Sequence, residues 1–454
     1  MKKAKLTEGK IGISLFKMSV PMFFGMIGFA LFNFFDTKFV GQLGTDALAA
    51  ISFTANTMLI MFALAFGLGT GVTACIAKAI GEGDDLKVKR LTTDSLLLGF
   101  FLGTFLVIVG YPTIRPLFEL FGASEDLMPY IFDYMELWYL GVPFIIIPII
   151  GNSAMRAQGN MVIPFLIMLV SIATNIVLDF GLILGNLGMP RLEVFGASLA
   201  TFISRFLTLI AALFILHLKF RMISFKAFSV KGMFRSWSEI LKIGLPSILT
   251  QLIIPIAVAS VLKYASGFEN GKQLVSTLQT SSRVDFFAIA VIAALGSVLI
   301  PFVAQNLGAG KFDRIKEALK ISRLFTIIWG LLMTLIFIFI RDDIGPVFMK
   351  GKSDLIFFQY MSEYYWIVPV SFIFRMLFVV ETSTINALQK PVFSGLLMLG
   401  QMILIYIPLA YCLGEMYDYK GIYYAYVIAT IVGGIASYFM QRKLLGIIIL
   451  QSKF

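Results

Sequence analysis

The sequence predicts an all-α polytopic membrane protein. It has twelve transmembrane helices in two six-helix lobes, related by a pseudo-two-fold axis along the membrane normal. Two observations carry this. The 454 residues are 59% hydrophobic and only 14% charged, where soluble domains run about 25% charged. Apolar stretches recur along the whole chain, each long enough to cross about 30 Å of hydrocarbon as a helix. A third observation, an internal repeat, divides the helices into two sets.

In chain order the helices are expected at 12–36, 50–80, 94–118, 131–154, 162–186 and 195–218, then at 240–265, 274–305, 319–340, 360–387, 392–413 and 421–441. The first begins basic and turns apolar. Lys17 interrupts its apolar run and no small-residue cleavage site follows, so it reads as an uncleaved span. Pro21 sits inside it, where a missing backbone donor invites a bend, and is the expected hinge. The second runs through Phe66-Gly67-Leu68-Gly69-Thr70-Gly71 and stops at Gly81-Glu82-Gly83. The fourth carries Pro143 and Pro148, the fifth closes on Asn175-Ile-Val-Leu-Asp179, and the sixth opens at Gly196. The seventh contains Pro246, and the eighth ends at Gln305-Asn306-Leu307-Gly308-Ala309-Gly310.

The two sets share punctuation. Phe16-Lys17-Met18-Ser19-Val20-Pro21 recurs as Leu241-Lys242-Ile243-Gly244-Leu245-Pro246, and Leu68-Gly69…Gly81-Glu82-Gly83 as Leu295-Gly296…Gly308-Ala309-Gly310. Gly196…Ala200 recurs as Gly421…Ala425. The expected division is an N-terminal lobe 1–218, a cytoplasmic connection 219–240 and a C-terminal lobe 241–454. An even number of helices per copy gives both copies the same orientation, the arrangement of secondary transporters that rock one half against the other.

The net charge of +11 follows the positive-inside rule. Basic residues concentrate in the tail (Lys2, Lys3, Lys5, Lys10) and the long connection (Lys219, Arg221, Lys226, Lys231, Arg235, Lys242). Both termini are therefore expected in the cytoplasm, with the chain multi-pass in the cell's inner membrane. No soluble fold is left to present a nucleic-acid patch. Cys75 and Cys412 both lie in apolar helices, too few and too far apart for a metal site or disulfide framework. His217, the single histidine, stands at the inner end of the sixth helix.

Asp36 and Asp179 are the chemical anomaly. A charged side chain at mid-bilayer costs roughly 2.5–3.5 kcal/mol on insertion scales, so each marks a candidate functional site. Asn33 and Asp36 are spaced i, i+3 and Asn175 and Asp179 i, i+4, so each pair shares a helix face. By topology Asp36, Asp179 and Thr201 all fall in the outer half of the membrane. Oxygen ligands suit a hard cation such as Na⁺; a desolvated carboxylate pair alternatively carries a proton. A further alternative is that Arg205, one turn after Thr201, permanently neutralises one aspartate. Arg283, Asp285, Arg375 and Glu381 are expected to form ion pairs in the second lobe, lining a substrate cleft. Met22, Met26, Met58 and Met61, with Phe23, Phe29 and Phe62, would supply an adaptable apolar wall.

The run Asp36-Thr-Lys-Phe-Val-Gly41-Gln-Leu-Gly44-Thr-Asp-Ala-Leu-Ala-Ala50 resembles the first helix and following loop of the multidrug and toxic compound extrusion (MATE) transporters. Gly81-Glu82-Gly83 and Gln305–Gly310 are similar to the same family, and the likeness spans essentially the whole chain. It implies an antiporter, not an enzyme, that exports amphipathic and often cationic small molecules in exchange for H⁺ or Na⁺, with no further cofactor and as a monomer. The sequence looks closest to the DinF-like branch. There the coupling site maps onto Asp36, Asn175, Asp179 and Thr201, with Pro21 as the first-helix proline and Asn152 as a lobe-interior polar residue. The NorM-like branch places a Glu after its seventh-helix Leu-Pro. Here Leu245-Pro246 is followed by Ser-Ile-Leu-Thr-Gln-Leu-Ile-Ile-Pro255, with no acid. Near the equivalent of Asp36 the second half carries Lys263-Tyr264. Remaining alternatives are a lipid-linked oligosaccharide flippase, which would want a strongly cationic cavity lined by several intramembrane Lys or Arg where only Lys17, Arg205, Arg283 and Arg375 are available, a channel, and an intramembrane enzyme, which would need a nucleophile–base pair or metal cluster at membrane depth and for which no His-Glu-x-x-His run exists.

Overall fold

The computed structural model describes residues 5–225, 229–348 and 355–452, the side chain of Asn56 excepted. Lys2, Lys3 and Lys226 lie outside them. Among the described residues eleven helices are long and apolar enough to span a membrane, and a bent pair makes the twelfth. They are α1 (Ile11–Gly41), α2 (Thr45–Glu82), α3 (Asp85–Leu120), α4 (Glu125–Leu140 and Val142–Ala157), α5 (Val162–Leu182) and α6 (Glu193–Leu218). The second six are α7 (Val230–Ala265), α8 (Gly271–Gly308), α9 (Phe312–Phe339), α10 (Leu355–Ala387), α11 (Pro391–Tyr417) and α12 (Lys420–Gln451). The fold is the twelve-helix, two-lobe one that the sequence predicts.

Most of the helices run longer than expected, α5 being shorter. α1 has 31 residues, about 46 Å at 1.5 Å per residue, so Lys17 is an exposed residue of its second turn. α7 begins at Val230, which puts Lys231 and Arg235 on helix rather than loop. Pro21 and Pro246 lie inside α1 and α7 as expected. Pro143 instead opens the second half of α4, just past a 46° bend at Gly141. Only Pro148 is interior there. Polar side chains turn back onto their own helices, as Thr208 does in donating to the Ser204 carbonyl at 2.7 Å. This satisfies hydroxyls that lipid cannot.

The chain forms two compact units: residues 1–8 with 20–245, and residues 9–19 with 246–454. Within the first, the start of α7 packs on α2 and α3. Trp237 Nε1 donates to the Asp94 carbonyl at 2.8 Å, and a methyl built on Gly71 would meet Ile240 O at 2.7 Å. Within the second, Arg314 donates to Gly9 O at 3.0 Å.

The same close approaches occur inside each unit, at positions the repeat relates. A methyl on Gly69 would sit 2.7 Å from Ser153 Oγ, and one on Gly296 2.8 Å from Ser383 Oγ. Gly103 is covered by Pro143 and Gly330 by Ile373. Gly83 and Gly310 both end their helices at positive φ, 77° and 68°, a conformation that suits glycine. Small residues where backbones approach are the usual means of joining helices in lipid.

Candidate functional site

Three helices of the first unit each contribute a pair of residues one turn apart. α1 supplies Phe32 and Asp36, α5 Asn175 and Asp179, and α6 Thr201 and Arg205. The i, i+4 spacing sets both members of a pair on one helix face. Asn175 Nδ2 donates to Thr201 Oγ1 at 3.4 Å, tying α5 to α6. α6 is tied in turn to α4 by Ser198 Oγ, which donates to the Tyr134 carbonyl at 2.8 Å. α1 meets α5 through side chains that lie over its small residues: Met168 over Gly25 and Ile172 over Gly28.

Asp179 is fully buried and Asn175 and Thr201 nearly so, while Asp36 is half-buried. Asp36 Oδ1, both carboxylate oxygens of Asp179 and Asn175 Oδ1 are buried without a hydrogen-bond partner. Buried polar atoms in folded proteins are almost always paired, so these four oxygens form a candidate donor set for a cation. Asp36 interacts electrostatically with Asp179 and with Arg205, and Tyr134 feels all three. Carboxylate, amide and hydroxyl oxygens suit a hard monovalent ion, and the two carboxylates equally suit a proton.

Arg205 is not locked onto either acid. Among the described residues it forms no ion pair within 4.0 Å with Asp36 or Asp179; its guanidinium lies over the Phe32 ring, 5.5 Å from the centroid. Asn33 does not join the site: it is exposed and donates to Phe29 O of its own helix at 2.9 Å. Asn152 forms no hydrogen bond with any member of the group, although its Oδ1 is likewise buried and unpartnered. Met61 is half-buried on α2 beside Phe62, whose ring meets Phe29 edge-on at 5.7 Å. Phe29 stacks on Phe32 at 6.2 Å, so part of the expected apolar wall is continuous with the ring under Arg205.

In the second unit Asp285 and Arg375 do pair, at 3.1 Å, and Tyr364 donates to the same carboxylate oxygen at 2.9 Å. Glu381 pairs with neither Arg283 nor Arg375. It accepts both arms of Arg323, at 2.6 and 2.9 Å, and Arg323 also donates to Gln441 at 2.7 Å and lies over Tyr438. Arg283 is exposed and has no ion pair among the described residues. Tyr264 lies against Tyr411, the ring centroids 4.1 Å apart and the planes tilted by 34°. The described residues contain no cluster of three or more His, Cys, Asp or Glu able to hold a metal ion. Tyr134, Arg323 and Tyr364 were not singled out by the sequence. Arg323 carried a signal, a cation four residues inside an expected helix.

A family model described as MatE matches residues 21–180 and 246–412, once in each half. The chain is 34% identical over 440 residues to a Shewanella oneidensis protein named FAD transporter, covering 97% of this chain and 96% of that one. It is 23% identical over 439 residues to the multidrug export protein MepA of Staphylococcus haemolyticus, covering 96% and 94%. A crystal structure of a MATE in the bent conformation matches the full length of both chains with a TM-score of 0.92 at 23% identity. The Vibrio cholerae MATE transporter VcmN in its bent form matches with a TM-score of 0.90 at 25% identity, covering 97% and 98%.

Proposed function

Because the chain belongs to the MatE family of transporters, we propose that it is a secondary active antiporter that exports amphipathic, often cationic compounds in exchange for H⁺ or Na⁺. Its coupling site is Asp36, Asn175, Asp179 and Thr201 of the N-terminal lobe. The observation that carries this reading is the set of buried, unpartnered oxygens on Asp36, Asn175 and Asp179. Facing outward, the site takes an ion that neutralises its carboxylates and lowers the cost of closing around them. Closure shifts the population toward the inward-facing state, where the ion leaves and substrate enters. The ion drives this only through its different affinity for the two states.

Both termini are cytoplasmic in this reading, and the working unit is a monomer. A flippase for lipid-linked oligosaccharide is less well supported, since Arg375 and Arg323 are committed to Asp285 and Glu381.

The relative named FAD transporter favours a second substrate reading, a flavin dinucleotide. The test is efflux of ethidium, norfloxacin and FAD, in parallel, from proteoliposomes under imposed H⁺ and then Na⁺ gradients. Movement of one probe under one gradient assigns substrate class and ion together. A protein that moves none of them under either gradient overturns the proposal.

A further inference from the structure

We propose, on the coupling-site reading above, that Arg205 sets the number of coupling ions per cycle at one. Its guanidinium rests on the face of Phe32, 5.5 Å from the ring centroid, and Phe32 stands one turn before Asp36 on α1. From there it acts electrostatically on Asp36, yet it forms no ion pair within 4.0 Å with either aspartate among the described residues. It offsets charge without occupying the ligand oxygens: Asp36 Oδ1 and both oxygens of Asp179 stay unpartnered. An arginine whose task is to cancel an acid permanently looks different in the same chain. Arg323 grips Glu381 with two hydrogen bonds of 2.6 and 2.9 Å.

The consequence is a matter of charge. With no ion bound, two ionised aspartates and one guanidinium leave a single net negative charge. Tyr134, which also interacts with the cluster, is buried, and an ordinary tyrosine phenol carries no charge near neutral pH. One H⁺ or Na⁺ brings the cluster to neutrality. A second would leave an uncompensated positive charge at membrane depth, where unpaired charge is expensive. The same two carboxylates without Arg205 would require two ions to reach neutrality.

The test is the reversal potential of transport in proteoliposomes, with membrane potential clamped by K⁺ and valinomycin and with ethidium and FAD as probes. Wild-type protein should give one ion per substrate, Arg205→Met two, and Arg205→Lys one. Methionine keeps the length and can still lie on Phe32, so a merely structural arginine would slow Arg205→Met while leaving its count at one. That result, or a count of two in the wild type, overturns the proposal. Should Arg205→Met fail to fold, the wild-type and Arg205→Lys counts decide, and two in either overturns it. Wild-type protein that moves neither probe under any ion gradient removes the coupling-site reading itself. That outcome is distinct from a coupled transporter with the wrong count.

Discussion

Asn175 reaches across from α5 to Thr201 on α6 with its amide nitrogen, at 3.4 Å, while its amide oxygen stays buried and unpartnered. One side chain thus joins two helices and offers a ligand atom. Replacing it alone by leucine would strand the buried Thr201 hydroxyl, whereas removing both partners of a hydrogen bond together is near neutral for stability. Asn175→Leu/Thr201→Val is therefore expected to shift thermal stability in detergent by less than ~1 kcal/mol while ion-driven efflux falls at least about tenfold, one pK unit of coupling energy. Equal losses in both would mean that Asn175 serves only packing.

Asp36→Asn and Asp179→Asn should each retain the fold and lose coupling. An amide replaces a charge that the resting site must otherwise bury, so neither variant should be less stable than the wild type. Full ion-coupled export in both, measured in proteoliposomes, would remove these residues from the mechanism.

Glu381 is fully buried and depends on Arg323. Arg323→Met strands that carboxylate, a change that costs about 3–5 kcal/mol when a buried pair is broken. The double variant Arg323→Met/Glu381→Met should recover most of the loss. A thermal-shift series in detergent reads both, and a double variant as unstable as the single would show that the loss arises elsewhere.

Gly71 faces backbone rather than side chains: a methyl there meets Ile240 O at 2.7 Å and Gly244 N at 3.0 Å. Backbone cannot rotate aside, so Gly71→Ala should destabilise by about 1–3 kcal/mol, as overpacking does. Gly446, with open space around it, is the matched control. Its Ala variant should unfold at or slightly above the wild-type temperature, since alanine is the better helix former.

Pro21 removes a hydrogen bond from the interior of α1, a defect worth about 3 kcal/mol in a helix. Pro21→Ala is expected to raise thermal stability and to slow transport. Faster or unchanged efflux would mean that α1 needs no weak point there.

Much of this was legible in the sequence because a bilayer leaves little choice. A span must satisfy its own backbone, so apolar length located all twelve helices, and Gly83 and Gly310 end their helices in the copies where the repeat puts them. Asp36 and Asp179 stood out because charged groups at depth are costly, helical spacing placed Asn175 and Asp179 on one face, and Thr201 came from the family resemblance. Pairing across helices was not legible. Arg323 and Glu381 lie 58 positions apart, and no local spacing joins them. Arg205 stood as an alternative permanent partner for one of the two aspartates. Only the placement of Phe32 shows its guanidinium resting on a ring instead of bonded to the acid. The early start of α7 was hidden because its first turns are basic, and charge alone does not distinguish a protruding helix from a loop.

The prolines of α1 and α7 also fall where the compact units divide, since residues 9–19 belong with the second unit and residues up to 245 with the first. The two copies of the repeat therefore do not coincide with the two units. Each lends the opening turns of its first helix to its sibling, so a polypeptide severed between α6 and α7 would yield halves that are each missing a piece of themselves. Such halves should accumulate only when made together, a mutual dependence that the repeat on its own would never suggest.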